Sequence, residues 1–344
     1  MSDIAEPTKE QWTRLFAAAN AIKRLAPWKV LWDSDLIAIM LPGHEEPVYC
    51  SVMGRNGECY AIGVYPGKES LQGYFRLASC EDDPFMTPGF EQDCLMCYFG
   101  DREEVSSEDR KVYKELDLKF RGRNAWIYFR EMKPGYVPWY LNAEQVDLLS
   151  PALEQVVAAC ESVLAKEIEV DFDGGEMLLR SYSPEKEEWI NAAVPAEFLF
   201  TISRTMFYDD NSLIARMKTH KQSKRRLEVG FFYMPASIQE KKGDRPYMPR
   251  LVLLADKETS FVLDQQMLGM DEGLDDAIME MIIGYIEKFG RPLGIYVRDD
   301  FTGCYISDFC CKLKIEMISD EGLPVLEEVA EMMMRSLLPG FELS

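Results

Sequence analysis

The sequence is poor in histidine, with only two, His44 and His220, among 344 residues. His44 stands in PGHEEP, a turn composition, and His220 in a basic run; neither has a serine or cysteine nucleophile in a recognisable elbow nearby. A hydrolase built on a histidine base is therefore poorly supported. No GxGxxG follows a strand-like run and no Walker loop occurs, so dinucleotide and P-loop sites are not expected. No stretch approaches the roughly 20 apolar residues of a membrane span, and no signal-peptide pattern opens the chain. Positive charge is the scarcer sign: 38 Lys and Arg face 59 Asp and Glu, a net charge of -21. That balance opposes broad attraction to DNA, RNA or anionic membranes. The partner this implies is a protein or a small molecule, with nucleic acid disfavoured and no membrane role. Nine cysteines, an odd number without disulfide-framework spacing, read as reduced thiols in a cytoplasm.

What is present is a well-organised stretch from Arg250 to Glu321. RLVLLAD and SFVLDQQML read as strands, followed by a helix, the strand LGIYVRDD, a second helix and the strand KIEMISD. Apolar runs of this length between helices suit strands buried on both faces of a partly parallel sheet. In the first helix Leu274, Ala277, Ile278, Met281, Ile282, Tyr285, Ile286 and Phe289 follow helical spacing. Asp275 and Asp276 sit near its start, with Gly290 and Pro292 past its end. A final helix begins near Leu323.

Upstream, Thr8 as N-cap with Glu10 or Gln11 behind it predicts a helix that Pro27 ends. The run KVLWDSDLIAIML reads as a strand, and Asn56-Gly57 between PVYCSVMG and CYAIGVY predicts a hairpin. CLMCYFG and AWIYFREM read as strands, with a helix from Ser106 to Leu116 between them. Asn142 and Gln145 cap a further helix, which Ser150-Pro151 is expected to break. EIEVDF and EMLLRSY around Asp173-Gly174-Gly175 predict a hairpin, and Val194 to Tyr208 a helix. The fold class is α/β (α+β): two mixed-sheet units, roughly Trp28 to Lys166 and Arg226 to Leu338, read as copies of one plan. Domain bounds follow at 1–166, 167–225 (a small connecting subdomain) and 226–344. The element order of an antiparallel meander and then alternating helices and strands matches the ribonuclease-H-like fold.

That fold, in its nucleases, places carboxylates on the first and fourth strands and in the last helix, to hold two divalent ions. The second unit offers Asp256, Asp299, Asp300 and Asp308 as catalytic candidates, but only Glu228 on its first strand. The first unit offers Asp33, Asp35 and Asp101, with Glu154 or Glu161 on its last helix. Neither set completes the pattern, so no metal ligand is assigned and no cofactor is identified. Cys94 and Cys97, three apart in a strand, point to opposite faces and cannot share one metal. Arg216 to Arg226 is the one strongly basic run. Lys218, Lys221, Lys224, Arg225 and Arg226 are candidate phosphate contacts, although without interleaved aromatics the run also reads as a solvated helix end.

The stretches VYCSVMGRNGECYAIGVYPG, LKFRGRNAWIYFREMKPGYVPW and RRLEVGFFYMPASIQEKKGDRPYMPRLVLLADKETSFVL resemble a family of uncharacterised bacterial proteins built from two adjoining domains of unknown function. The resemblance implies a bacterial cytoplasmic protein and carries no activity, cofactor or catalytic residue. The expected function is a non-catalytic binding or interaction protein; the alternative is a metal-dependent ribonuclease-H-like enzyme acting on nucleic acid.

Overall fold

The computed structural model describes residues 5–79, 87–196, 206–234, 236–298, 300–320 and 322–337. The chain divides into two compact units: 1–81, 91–134 and 138–201 in the first, and 82–90, 135–137 and 202–344 in the second. Each is a mixed sheet with helices.

In the first unit α1 (Lys9–Leu25) starts at a reciprocal cap between Thr8 and Gln11 and ends where Ala26 turns left-handed ahead of Pro27. The strands are β1 (Ile37–Met40), β2 (Val48–Met53), β3 (Ala61–Pro66), β4 (Cys94–Gly100) and β5 (Trp126–Met132). Between them lie α2 (Gly67–Ser79) and α4 (Ser107–Glu115); the short α3 (Thr87–Phe90) comes between β3 and β4 in the chain but belongs to the second unit. The Asn56-Gly57 hairpin forms as expected, with Gly54 and Gly57 at positive φ. Of KVLWDSDLIAIML only Ile37–Met40 is strand; Pro27–Lys29 is a 3-10 turn and the acids between them form a bend. α5 (Ala143–Leu164) begins at the Asn142–Gln145 capping box and runs unbroken through Pro151. The expected break does not occur. Val146, Leu149, Leu153 and Val156 are fully buried, and that anchoring on both sides of the proline outweighs one missing amide.

The stretch from 167 to 225 pairs differently from expectation. EMLLRSYS is β6 (Glu176–Ser183), and its hairpin partner lies downstream, β7 (Glu188–Pro195), not in EIEVDF. β6 pairs in parallel with β1, so the hairpin completes a seven-stranded sheet of order β5-β4-β3-β2-β1-β6-β7. The helix expected over Val194 to Tyr208 begins inside β7. Residues 197–205 lie outside the described set, and Met206 to Asp210 is irregular. α6 (Asn211–Lys218) places Ile214 and Met217 in the second unit's core. The connecting stretch thus divides between the two units and forms no subdomain of its own among the described residues.

The second unit holds β8 (Arg226–Tyr233), β9 (Arg250–Asp256), β10 (Phe261–Leu268), α7 (Leu274–Phe289), β11 (Gly294–Val297), α8 (Asp300–Leu313), β12 (Glu316–Ser319) and α9 (Pro324–Leu337). Its order is β10-β9-β8-β11-β12, antiparallel across the first three and parallel from β8 through β11 to β12. This is the ribonuclease-H-like arrangement. α7 and α8 cover the face that carries Leu227, Val229, Val252 and Leu254. α9 covers the other, where Phe232, Leu251, Leu253 and Ala255 pack on Leu323, Leu326 and Ala330. The two sheets therefore differ in strand order, and the units are not copies of one topology.

Candidate functional site

Strand alternation decides which acids of the second unit can meet. In the β8–β9 ladder Leu227 stands opposite Asp256, and Glu228 opposite Ala255. Successive residues face opposite sides. Asp256 therefore points into the α7/α8 face with Leu227, and Glu228 into the α9 face with Ala255. Asp256 is 1% exposed; one carboxylate oxygen accepts the amides of Glu258 (3.1 Å) and Thr259 (3.0 Å), closing the turn into β10. The other lies 3.5 Å from Arg225. Through Leu227 it is level with Ile295, near the start of β11. Asp300 opens α8 beyond the far end of that four-residue strand. At about 3.3 Å per strand residue the two are separated by roughly 10 Å or more. Asp308 lies on α8, where it accepts the Tyr208 amide at 2.8 Å and Lys312 at 2.6 Å; the Lys312 hydrogen bond holds its carboxyl below the ordinary range. Asp299 lies outside the described residues. Asp256 is thus tied into a turn at one end of the sheet, Asp308 is engaged on α8 by Tyr208 and Lys312, and α8 starts at Asp300 beyond the other end of β11. Among the described residues no group of three or more His, Cys, Asp or Glu side chains is placed to hold a metal ion.

The carboxylate that does occupy the first strand is Glu228, fully buried. Its Oε2 accepts the Val325 amide at 3.0 Å and the Leu326 amide at 3.4 Å, both in the first turn of α9, where the helix dipole favours an anion. Its Oε1 lies 3.5 Å from the Lys257 ammonium, which lies 3.5 Å from Asp320 as well. Lys257 also stands 4.0 Å over the ring of Tyr296, the β11 residue in register with Glu228. Arg298 and Glu327 pair beside this cluster, and Glu327 accepts the Leu323 amide at 3.1 Å. Burial pushes the Glu228 carboxyl up; the amides and Lys257 oppose that only in part. A lysine cation thus lies between two carboxylates at the junction of first strand, fourth strand and last helix. Lys257, Asp320 and Tyr296 escaped the sequence reading. The signal was there in outline: alternation beyond Asp256 turns the next side chain to Glu228's face.

The basic run splits. Arg225 reaches Asp256, Arg226 lies 3.9 Å from Glu258, and Arg216 lies 3.0 Å from Glu287. Lys218, Lys221 and Lys224 stay exposed. In the first unit Asp35, Asp101 and Glu154 are tied into local structure, and Glu161 is exposed. Asp35 accepts the Trp32 amide at 2.8 Å, Asp101 the Asn124 amide at 2.6 Å, and Glu154 pairs with Arg14 through two contacts of 2.7 Å. Asp33 uses its carbonyl to accept Ser51 and Tyr74 hydroxyls. Cys94 and Cys97 enter cores on opposite faces of β4, as alternation requires, and burial pushes the Cys94 thiol up to about 12.

Comparison with known proteins agrees with this division. Residues 12–180 match a family described as a domain of unknown function, DUF7309, and residues 213–334 match another, DUF6930. No curated protein sequence matches the chain. Among solved structures, the HTLV-2 integrase catalytic core domain in complex with magnesium is similar at 14% identity, covering 36% of this chain and 80% of that one, TM-score 0.24. The BIV integrase catalytic core domain is similar at 14% identity, covering 33% and 67%, TM-score 0.24. Likeness at this level says nothing about chemistry. Two adjoining family models of domains of unknown function, DUF7309 and then DUF6930, thus cover residues 12–180 and 213–334 of the chain.

Proposed function

We propose that this protein is a non-catalytic binding or interaction protein that uses a ribonuclease-H-like sheet as scaffold. The observation that carries the reading is the position of Lys257. Two-ion phosphoryl chemistry needs several carboxylates converging on cations about 4 Å apart. Here Glu228 is engaged by two helix amides and by the Lys257 ammonium, which bridges to Asp320. A fixed side-chain cation balances the buried charge, and a divalent ion would have to displace it. The cytoplasm suits this reading. All eight described cysteines are free, and Cys50, Cys94, Cys97, Cys160 and Cys310 are buried.

The experiment is calorimetric titration of the protein with magnesium and manganese, alongside cleavage assays on single-stranded DNA and RNA. The expected result is no saturable uptake and no metal-dependent cleavage. Stoichiometric binding of two ions, with cleavage lost in Asp299→Asn, would establish the enzyme reading instead.

A further inference from the structure

The C-terminal ends of α6, α7 and α8 meet at one pole of the second unit, drawn together largely by Arg291. Its amide donates to Lys221 O at 3.0 Å, its Nε to His220 O at 3.0 Å, and one guanidinium nitrogen to Leu313 O at 2.6 Å. Gln222 donates to Lys314 O at 3.3 Å, and Arg216 pairs with Glu287 across the same end. Gly290, at φ +88°, permits the approach: a Cβ there would lie 2.4 Å from Lys221 O. The result gathers Lys218, Lys221, Lys224, Lys288 and Lys314 on one surface. All five are exposed, and none makes an ion pair with a described residue.

Lysines beside helix C-termini complement the dipoles, which alone would account for their charge. It would not account for Phe289. This ring ends α7 within the pole, is 53% exposed, and has the Arg225 guanidinium 5.7 Å from its centroid. Tyr285 supports it from beneath at 5.2 Å. An exposed aromatic beside a guanidinium, at a pole that also carries exposed lysines, is the composition of an interface hot spot. The basic run in sequence has no aromatic among its lysines; folding brings one from a residue more than sixty positions away.

We propose that this pole is a docking surface for a short acidic protein segment with an apolar residue at its centre. The lysines supply point charges for carboxylates. The arginines that would fork a phosphate are already engaged, by Asp256, Glu258, Glu287 and backbone carbonyls. Glu287 and Glu258, beside Arg216 and Arg226, put carboxylates at the edge of the surface, and the chain as a whole carries -21. A long polyanion would run onto like charge, whereas a segment with a few carboxylates fits within the basic area. The inference rests on reading the protein as an interaction protein and names the partner of that role.

The test is fluorescence anisotropy with the labelled peptide Gly-Asp-Glu-Leu-Phe-Glu-Asp-Gly. A control peptide carries Ser-Ser in place of Leu-Phe, and labelled oligothymidylate serves as a second probe. The full-length protein is expected to bind the first peptide saturably, more weakly as salt rises. The combined variant Lys221→Glu, Lys224→Glu, Lys288→Glu is expected to bind it at least about tenfold more weakly. Phe289→Ser is expected to reduce its affinity to that of the control peptide. Circular dichroism and melting of both variants establish that they are folded. No saturable binding, unchanged affinity in either variant, or tighter binding of oligothymidylate would overturn the proposal. Failure here leaves the metal titration untouched, so the two readings fall separately.

Discussion

Glu228 shows how one residue can hold a scaffold together at some cost. Its carboxylate is fully buried and satisfies two amides of α9 that would otherwise lack partners. Glu228→Ala leaves those amides and Lys257 short of a partner in the interior and is expected to cost about 2–3 kcal/mol. Glu228→Gln keeps an acceptor without the charge and is expected to stay within about 1 kcal/mol of wild type. The pH dependence has a definite sign. Burial raises the folded-state pKa above the ordinary 4.5, so the folded protein holds this proton more tightly than the unfolded chain. The stability linked to that proton is present below about 4.5 and is lost as pH rises through the higher folded value. Urea unfolding across a pH series should show wild type falling relative to the Gln variant above that point. Parallel profiles would refute the assignment.

At the level of elements, local chemistry and burial do separate jobs. Among the described residues three helices start at reciprocal caps, Thr8 with Gln11, Ser106 with Asp109 and Asn142 with Gln145. The caps set where a helix begins; packing decides whether it continues, as α5 does through Pro151. α1 lies along α5, with Leu15, Ala19 and Ile22 fully buried. The Arg14–Glu154 pair between these helices has good geometry, but its side chains are 52% and 37% exposed, so water and salt screen it. Two substitutions separate the effects in denaturant melts. Asn142→Ala should cost about 1 kcal/mol, and Arg14→Ala no more than about 0.5–1 kcal/mol. A larger loss from the exposed arginine than from the cap would contradict the ranking.

At the scale of the molecule the two sheets set a gradient of local stability. β8 and β9 are covered by α7 and α8 on one face and α9 on the other. β10 is an edge strand with Phe261 70% and Met267 53% exposed, and its register shifts between Val262 and Asp264. A bulge of this kind twists an edge away from pairing with further strands. Native-state hydrogen exchange should therefore find the slowest amides of this unit in β8 and β9, and faster exchange in β10 and β12. Equal protection across all five strands would count against this layering. Net charge acts at the same scale, favouring solubility and opposing long polyanions.

The sequence alone determined the elements whose signals are local. The periodicity of α7, the Asn142–Gln145 cap, the Asn56-Gly57 turn and the strands of the second unit all depend on residues within a few positions of one another. It also determined that Cys94 and Cys97 part company, because alternation is a property of any strand. Tertiary structure alone decided the pairings. β6 could have joined EIEVDF but joined β7 and β1, since hydrogen-bond partners across a sheet leave no local mark. It decided that Asp256 and Glu228 face opposite sides, that Lys257 stands between Glu228 and Asp320, and that Phe289 meets Arg225. Each of these depends on which strand or helix end lies alongside another, and register between distant segments is set by the burial of the whole core rather than by neighbours in the chain.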